Sequence, residues 1–177
     1  MTSTCLQLHQ RLLFDLAAGQ VLDGPRRYVL MRADVLMGAF DHLPQPAREQ
    51  ALQALGTSVT RFGADSVRAY LAQVGPDALL QAMVQGSASL GWGSWTFRRD
   101  GTGLWLEVRN SPFAAGSRHR DGGPVCHAIA GMLEAVAQTL EQAPMRVREV
   151  RCAACEEPGG PAICLFHARP ASPEPAH

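Results

Sequence analysis

Three cysteines and one glutamate in the last third of the chain have types and spacing that could bind a single metal ion: Cys126, Glu149, Cys152 and Cys164. Thiolate sulfur and carboxylate oxygen are both zinc ligands, and structural zinc sites are closed tetrahedra of four protein ligands. Such a set leaves no position for a reacting water. We therefore predict a structural zinc ion and no catalytic residue. The competing interpretation is that these cysteines are small buried hydrophobic residues.

Two features of the spacing leave the ligand set open. Glu149 and Cys152 are three residues apart on a predicted strand, so strict alternation would send them to opposite faces. Both can reach one ion only if a bulge or a twist intervenes. Cys155 could replace Cys152, whereas His127 lies next to Cys126 on a predicted helix and is expected to point elsewhere.

Composition bounds the class of protein. The chain has 177 residues, which suits one domain. Its formal net charge is zero, which argues against nucleic acid as a partner. No apolar run reaches the roughly 18 residues that span a bilayer, and residues 1–10 lack the pattern of a signal peptide. We expect no membrane partner and a cytoplasmic location, where thiols stay reduced and clustered cysteines favour metal.

The first half of the chain is predicted to be largely helical. Apolar spacing, turn-forming glycines and prolines divide it into helices over residues 5–22, 33–40, 46–55, 65–74 and 78–90. A short strand is predicted over 27–31. Gly56 and Gly63 are expected to interrupt the helices on either side of them.

The second half has a different pattern. Strand-like runs at 94–99 and 104–108 flank Asp100-Gly101, a strong hairpin signal. A helix is predicted over 124–142, and a second hairpin has strands at 145–153 and 162–168. The fold class is therefore α+β: a helical N-terminal half, an antiparallel sheet of two hairpins with a long helix between them, and zinc in the C-terminal third. We expect one domain over 1–170 and a disordered tail at 171–177.

The segments around the four ligand candidates resemble the 4-vinyl reductase domain family, in the form found in phenol-responsive bacterial regulators. The resemblance rests on Pro124-Val125-Cys126, on Arg148-Glu149-Val150-Arg151-Cys152 and on Cys164-Leu165-Phe166. It implies one structural zinc ion held by Cys126, Glu149, Cys152 and Cys164. The interval from Cys152 to Cys164 is longer than the family's usual spacing, which implies a longer hairpin turn and leaves the choice between Cys152 and Cys155 open.

Aromatic residues cluster around the middle hairpin: Trp92, Trp95, Phe97, Trp105 and Phe113. Core packing would explain each of them, and an apolar ligand cavity would explain the group. The family resemblance implies such a cavity for small hydrophobic molecules, phenols among them. It implies that Trp105 is the tryptophan that grips the ligand, with Trp95 as the rival. Tyr28 and His42 could bond a polar end of the ligand.

The resemblance implies a binding protein that senses or carries a small hydrophobic or aromatic molecule. We expect it to form a homodimer, with residues 1–25 as the dimerisation segment, and to act through an unidentified protein partner. One alternative is an accessory or carrier protein of tetrapyrrole metabolism. A reductase is less favoured because no glycine-rich nucleotide loop follows a strand. The other alternative is an assembly scaffold without a ligand.

Overall fold

The computed structural model describes residues 8–118, 123–157 and 159–171. Most of the predicted tail and the first seven residues of the predicted dimerisation segment lie outside these ranges. The chain begins with a helical turn and a three-stranded antiparallel sheet: α1 (Leu8–Arg11), β1 (Leu13–Asp15), β2 (Gln20–Asp23) and β3 (Arg26–Tyr28).

This small sheet replaces most of the helix predicted over residues 5–22, so that prediction was wrong. Phe14 pairs with Val21 in the first hairpin, and Val21 pairs with Tyr28 in the second. Gly19 and Gly24 turn the chain with φ values of 63° and 58°, which glycine adopts without steric cost. The leucine spacing of the segment suits a helix, but these turns and the strand pairing prevail. The strand predicted at 27–31 begins one residue earlier and is shorter.

Three helices follow the small sheet: α2 (Ala33–Asp41), α3 (Gln45–Val74) and α4 (Pro76–Ser89). Helix α3 runs without interruption through Gly56 and Gly63, where the sequence predicts breaks. Both glycines face helix α6, which spans His127–Glu141. A Cβ on Gly56 would lie 2.8 Å from the carbonyl oxygen of His127. Close helix packing therefore offsets the cost of glycine in a helix, about 1 kcal/mol per residue.

The second half confirms the predicted α+β class. Its strands form a four-stranded antiparallel sheet in the order β4-β5-β7-β6. The remaining elements are β4 (Ser94–Asp100), β5 (Gly103–Arg109), α5 (Pro112–Gly116), β6 (Met145–Arg151), a 3₁₀ turn (Ala153–Cys155) and β7 (Ile163–Pro170). Helix α6 connects the two hairpins, as predicted.

The core lies between one face of this sheet and the helices. Helix α6 buries Ile129, Leu133 and Val136 there, and the sheet contributes Leu106 and Phe166. The other face of the sheet, which we call the outer face, is left uncovered by any element in the described ranges. Among the described helices, none has the length and apolar character needed to cross a membrane.

Candidate metal centre and ligand cavity

The four predicted metal ligands meet where α6 starts beside the last hairpin. Cys126 is the residue before the first turn of α6, Glu149 lies on β6, Cys152 follows β6 directly, and Cys164 lies on β7. Their ligand atoms all lie within 4.8 Å of one another. The sulfur atoms of Cys126 and Cys164 are 3.6 Å apart. Two thiolates on one tetrahedral zinc ion, each about 2.3 Å from the metal, would be about 3.8 Å apart.

A β-bulge brings Glu149 and Cys152 to the same side of the sheet. Glu149 pairs with Phe166, but Arg151 pairs with Leu165, so one extra residue enters β6 between them. Such an insertion reverses the alternation of side chains beyond it. Cys152 therefore joins the other three groups, whereas Cys155 is exposed and lies outside the set. His127 lines a separate groove between α3 and α6.

Hydrogen bonds already orient the four groups. The Ser111 hydroxyl lies 3.2 Å from the sulfur of Cys126, and the N–H of Ala153 donates to the sulfur of Cys164 over 3.3 Å. The N–H of Cys126 donates to Oε2 of Glu149 over 3.1 Å. The other carboxyl oxygen, Oε1, is buried and has no hydrogen-bond partner among the described residues. An unpartnered buried acceptor needs an explanation, and a cation supplies one.

The electrostatics of the cluster also fit a cation. Burial, with the charge of Cys152 beside it, raises the pKa of Glu149 to about 9. Hydrogen bonds from Cys126 and Cys164 lower the pKa of Cys152 to about 2, and the bond to Cys152 raises that of Cys126 well above its usual value. The four groups alone thus keep most of their protons. A divalent cation reverses this, because it deprotonates the thiols that it binds.

A second feature is a cavity of about 290 Å³ beneath the N-terminal segment. We call α1 and the three-stranded sheet, residues 8–28, the roof of this cavity. Helices α3 and α4 form the opposite wall. The apolar lining comes from Leu8, Met83, Leu90, Trp92, Trp95 and Met132.

The cavity has one polar end, built by residues that the sequence did not single out. Arg11 of the roof forms a two-pronged ion pair with Asp23, with N–O distances of 3.2 and 2.9 Å. The same guanidinium donates to the Tyr70 hydroxyl of α3 over 3.3 Å. Tyr28 completes this end, and its burial, then the nearby Asp23, raises its pKa, so its hydroxyl stays neutral. The sequence signal was the Asp23-Gly24-Pro25 turn, which a helix over 5–22 obscured.

The predicted aromatic residues separate into two groups. Trp92 and Trp95 line the cavity, and the Trp95 indole donates to the backbone oxygen of Trp92 over 3.1 Å. Phe113 packs edge-on against Trp92, and Phe97 against Trp95, so both support the lining from behind. Trp105 lies on the outer face of the sheet. There it stacks on a histidine of β7 at 4.0 Å, away from the cavity. Tyr28 is part of the lining and His42 is not.

Comparisons with known proteins bear on both features. Residues 104–170 match the family model of the vinyl-4-reductase domain. The phenol-responsive sensory domain of the transcription activator PoxR, crystallised with phenol, aligns over 92% of this chain and 86% of its own, with 19% identity and a TM-score of 0.72. That alignment shows the fold. No protein of curated function matches the sequence.

Two weaker structural similarities were found. A vinyl-4-reductase family protein from Methanocaldococcus jannaschii aligns with 12% identity and a TM-score of 0.49, over 82% of this chain and 98% of its own. Subunit 3 of a trafficking protein particle complex from Naegleria fowleri, covalently bound to palmitic acid, aligns with 9% identity and a TM-score of 0.46. That alignment covers 79% of this chain and 95% of the subunit.

Proposed function

Since this chain carries a vinyl-4-reductase domain over residues 104–170 and has the fold of a phenol-responsive sensory domain, we propose that it binds a small hydrophobic or aromatic molecule as a sensor or carrier. The observation that carries the proposal is the cavity under the roof. It combines two tryptophans with a single polar end. Ligand sites are typically apolar with a few placed polar groups.

The size and chemistry of the cavity favour a ligand of one ring with one polar group. Its volume of about 290 Å³ lies at the lower end of the range for ligand pockets. Phenol, the molecule in the PoxR crystal structure, is a ring of this kind with one hydroxyl. The hydroxyls of Tyr28 and Tyr70 could exchange hydrogen bonds with such a group. A tetrapyrrole is larger than this cavity, and a scaffold without a ligand would not need it.

A structural zinc ion forms the second part of the proposal, with Cys126, Glu149, Cys152 and Cys164 as its ligands. The close sulfur atoms and the unpartnered oxygen of Glu149 support it. Two other metals are less suited, because magnesium and calcium prefer oxygen ligands throughout. Zinc would supply no chemistry here beyond joining α6 to both strands of the last hairpin.

Self-association and output through a protein partner complete the proposal. The roof and the segment after it expose large apolar side chains: Leu13, Phe14, Leu16, Val29, Leu30, Met31 and Val35. A contiguous apolar surface on a globular domain marks an interaction site. We propose that a second copy of the chain covers it in a cytoplasmic homodimer. Reduced thiols in that compartment remain available to zinc.

The experiment is a titration of the purified protein with phenol, followed by calorimetry, using two matched variants. Trp92→Leu removes a ring from the cavity lining, and Trp105→Leu makes the same change on the outer face. Both side chains are half-buried. We expect Trp92→Leu to weaken binding about fivefold or more, since a lost aromatic contact is worth about 1 kcal/mol. Trp105→Leu should leave binding unchanged. Equal affinity of Trp92→Leu and wild type would contradict the proposed site.

A further inference from the structure

We propose that the outer face of the four-stranded sheet is a docking surface for an acidic, extended segment of a partner protein, which binds Arg146, Arg148 and Arg169. This surface is separate from both the cavity and the metal cluster. The inference rests on the register of β6 and β7, on the charges of that face and on the position of β6 at the sheet edge.

Two arginines lie directly opposite each other on this face. Arg146 of β6 pairs with Arg169 of β7, and Arg148 pairs with His167. The residues between them, Val147 and Ala168, pack into the core, so the arginines point outward, and all three are exposed. Opposite residues of neighbouring antiparallel strands have Cβ atoms about 4.5–5.5 Å apart. Three cationic side chains therefore crowd into one small area.

This arrangement lowers the stability of the isolated chain. Like charges directly opposite in a sheet are destabilising, and no described acid forms a salt bridge with Arg146, Arg148 or Arg169. Glu134 on α6 is electrostatically coupled to Arg146, but its carboxylate accepts its hydrogen bond from Gln138. Unfavourable residue choices of this kind occur where function requires them.

Protection of a sheet edge against aggregation does not account for all three arginines. Charged side chains on edge strands do serve that purpose, and β6 is an edge strand. That explanation would suffice for Arg146 and Arg148. Arg169, however, lies on β7, which has neighbours on both sides. Its cationic side chain opposite Arg146 calls for an anionic partner.

The rest of the face favours carboxylates over nucleic acid or lipid. The Trp105 ring is enclosed between His167, stacked at 4.0 Å, and Arg98, at 5.4 Å from the ring centre. It therefore offers no free ring face for stacking a base, which single-stranded nucleic acids require. Among the described residues of this face, Val150 is the one large apolar side chain that is exposed, so little could insert into a membrane. Arginine binds carboxylates through paired hydrogen bonds.

The edge position of β6 indicates how such a segment would dock. An extended peptide can add to an exposed edge strand through main-chain hydrogen bonds. Alternate side chains of the added strand would then lie on the outer face, next to Arg146 and Arg148. The partner segment should therefore carry acidic residues at every second position.

The test measures fluorescence anisotropy of a labelled peptide of about nine residues, with glutamate at alternate positions and threonine between, titrated with the zinc-loaded full chain. A peptide with glutamine in place of glutamate is the control. We expect saturable, salt-sensitive binding of the glutamate peptide alone. Arg146→Glu should weaken it at least tenfold. Arg61→Glu, the same change on an exposed position of α3, should leave it unchanged.

Thermal unfolding of the same variants separates a binding role from a structural one. Arg146→Glu turns a repulsive pair with Arg169 into an attractive one, so the Tm should rise by about 1–4 °C. A fall in Tm would make Arg146 a structural residue and overturn the proposal. Absence of peptide binding at low salt, or an equal loss with Arg61→Glu, would overturn it as well. Tighter, Arg146-dependent binding of oligothymidine or of phosphatidylglycerol vesicles would assign the face to nucleic acid or membrane instead.

Discussion

Gly56 on α3 and Gly131 on α6 bring the two helices into backbone contact. A Cβ on Gly131 would lie 2.2 Å from the carbonyl oxygen of Gly56. The Thr60 hydroxyl lies 3.1 Å from the carbonyl oxygens of both glycines. Gly131→Ala should force the helices apart and lower the free energy of unfolding by about 1–3 kcal/mol, measured by urea denaturation.

The matched control for this change is Gly38→Ala in α2. An added Cβ there meets no atom within 4 Å. Because alanine is the better helix former, we expect the free energy of unfolding to rise by about 0.5–1 kcal/mol. Equal effects of the two variants would mean that the contact between α3 and α6 is not energetically important.

Zinc binding is predicted to depend on Cys164 and not on Cys155. Native mass spectrometry should find one zinc ion per wild-type chain and none in Cys164→Ser. The Tm of that variant should also fall, because structural zinc contributes directly to folding. Cys155→Ser should keep the metal, since its thiol is exposed and outside the cluster. A metal-free wild-type chain with freely alkylated thiols would refute the zinc proposal.

The Ser111 hydroxyl should raise metal affinity through its contact with Cys126. Ser111 is buried, and its oxygen lies 3.2 Å from the Cys126 sulfur. Loss of a hydrogen bond to a ligand typically weakens metal binding about 10–100-fold. We expect Ser111→Ala to release zinc to a chelator at a correspondingly lower concentration. Ser117→Ala, which loses a hydrogen bond to Asp41 instead, should behave like the wild type.

The Arg11 side chain is predicted to hold the roof over the cavity. It joins Asp23 on the roof to Tyr70 on α3. Arg11→Met should cost about 1 kcal/mol of local stability and speed amide hydrogen exchange in β2 and β3 about fivefold. Arg32→Met removes an ion pair with Asp34 whose side chains are 79% and 46% exposed, and it should change exchange little. Unaltered exchange in Arg11→Met would show that the roof is held by other contacts.

Self-association is predicted to require the apolar surface of the roof. Phe14→Glu places a charge on this surface and should convert a dimer into a monomer in analytical ultracentrifugation. The control is Phe62→Glu on α3, since Phe62 is 64% exposed and Phe14 52%. A wild-type monomer, or a dimer in both variants, would contradict the proposed interface.

The sequence predicted most reliably the elements whose pattern is local. The hairpin at Asp100-Gly101 and helix α6 follow from turn chemistry and from a 3.6-residue apolar period. The resemblance around Cys126 and Cys164 is confirmed by the match to the vinyl-4-reductase domain over 104–170. The choice between Cys152 and Cys155 depended on the bulge after Glu149, which spacing alone could not reveal.

Long-range contacts caused the failures. Gly56 and Gly63 indicate helix breaks until their packing against α6 is known. The strands of the roof exist because they pair with one another, and residues 5–22 carry no alternation that indicates this. The ion pair of Arg11 with Asp23 depends on the same pairing, so the polar end of the cavity could not be predicted.

The metal cluster joins residues 38 positions apart in the chain, Cys126 and Cys164. An ion bound there would link the population of folded protein to the supply of free metal. Above its dissociation constant, each tenfold rise in free zinc would stabilise the fold by about 1.4 kcal/mol. A cell short of zinc would then hold fewer working copies of this protein, whatever the concentration of its ligand.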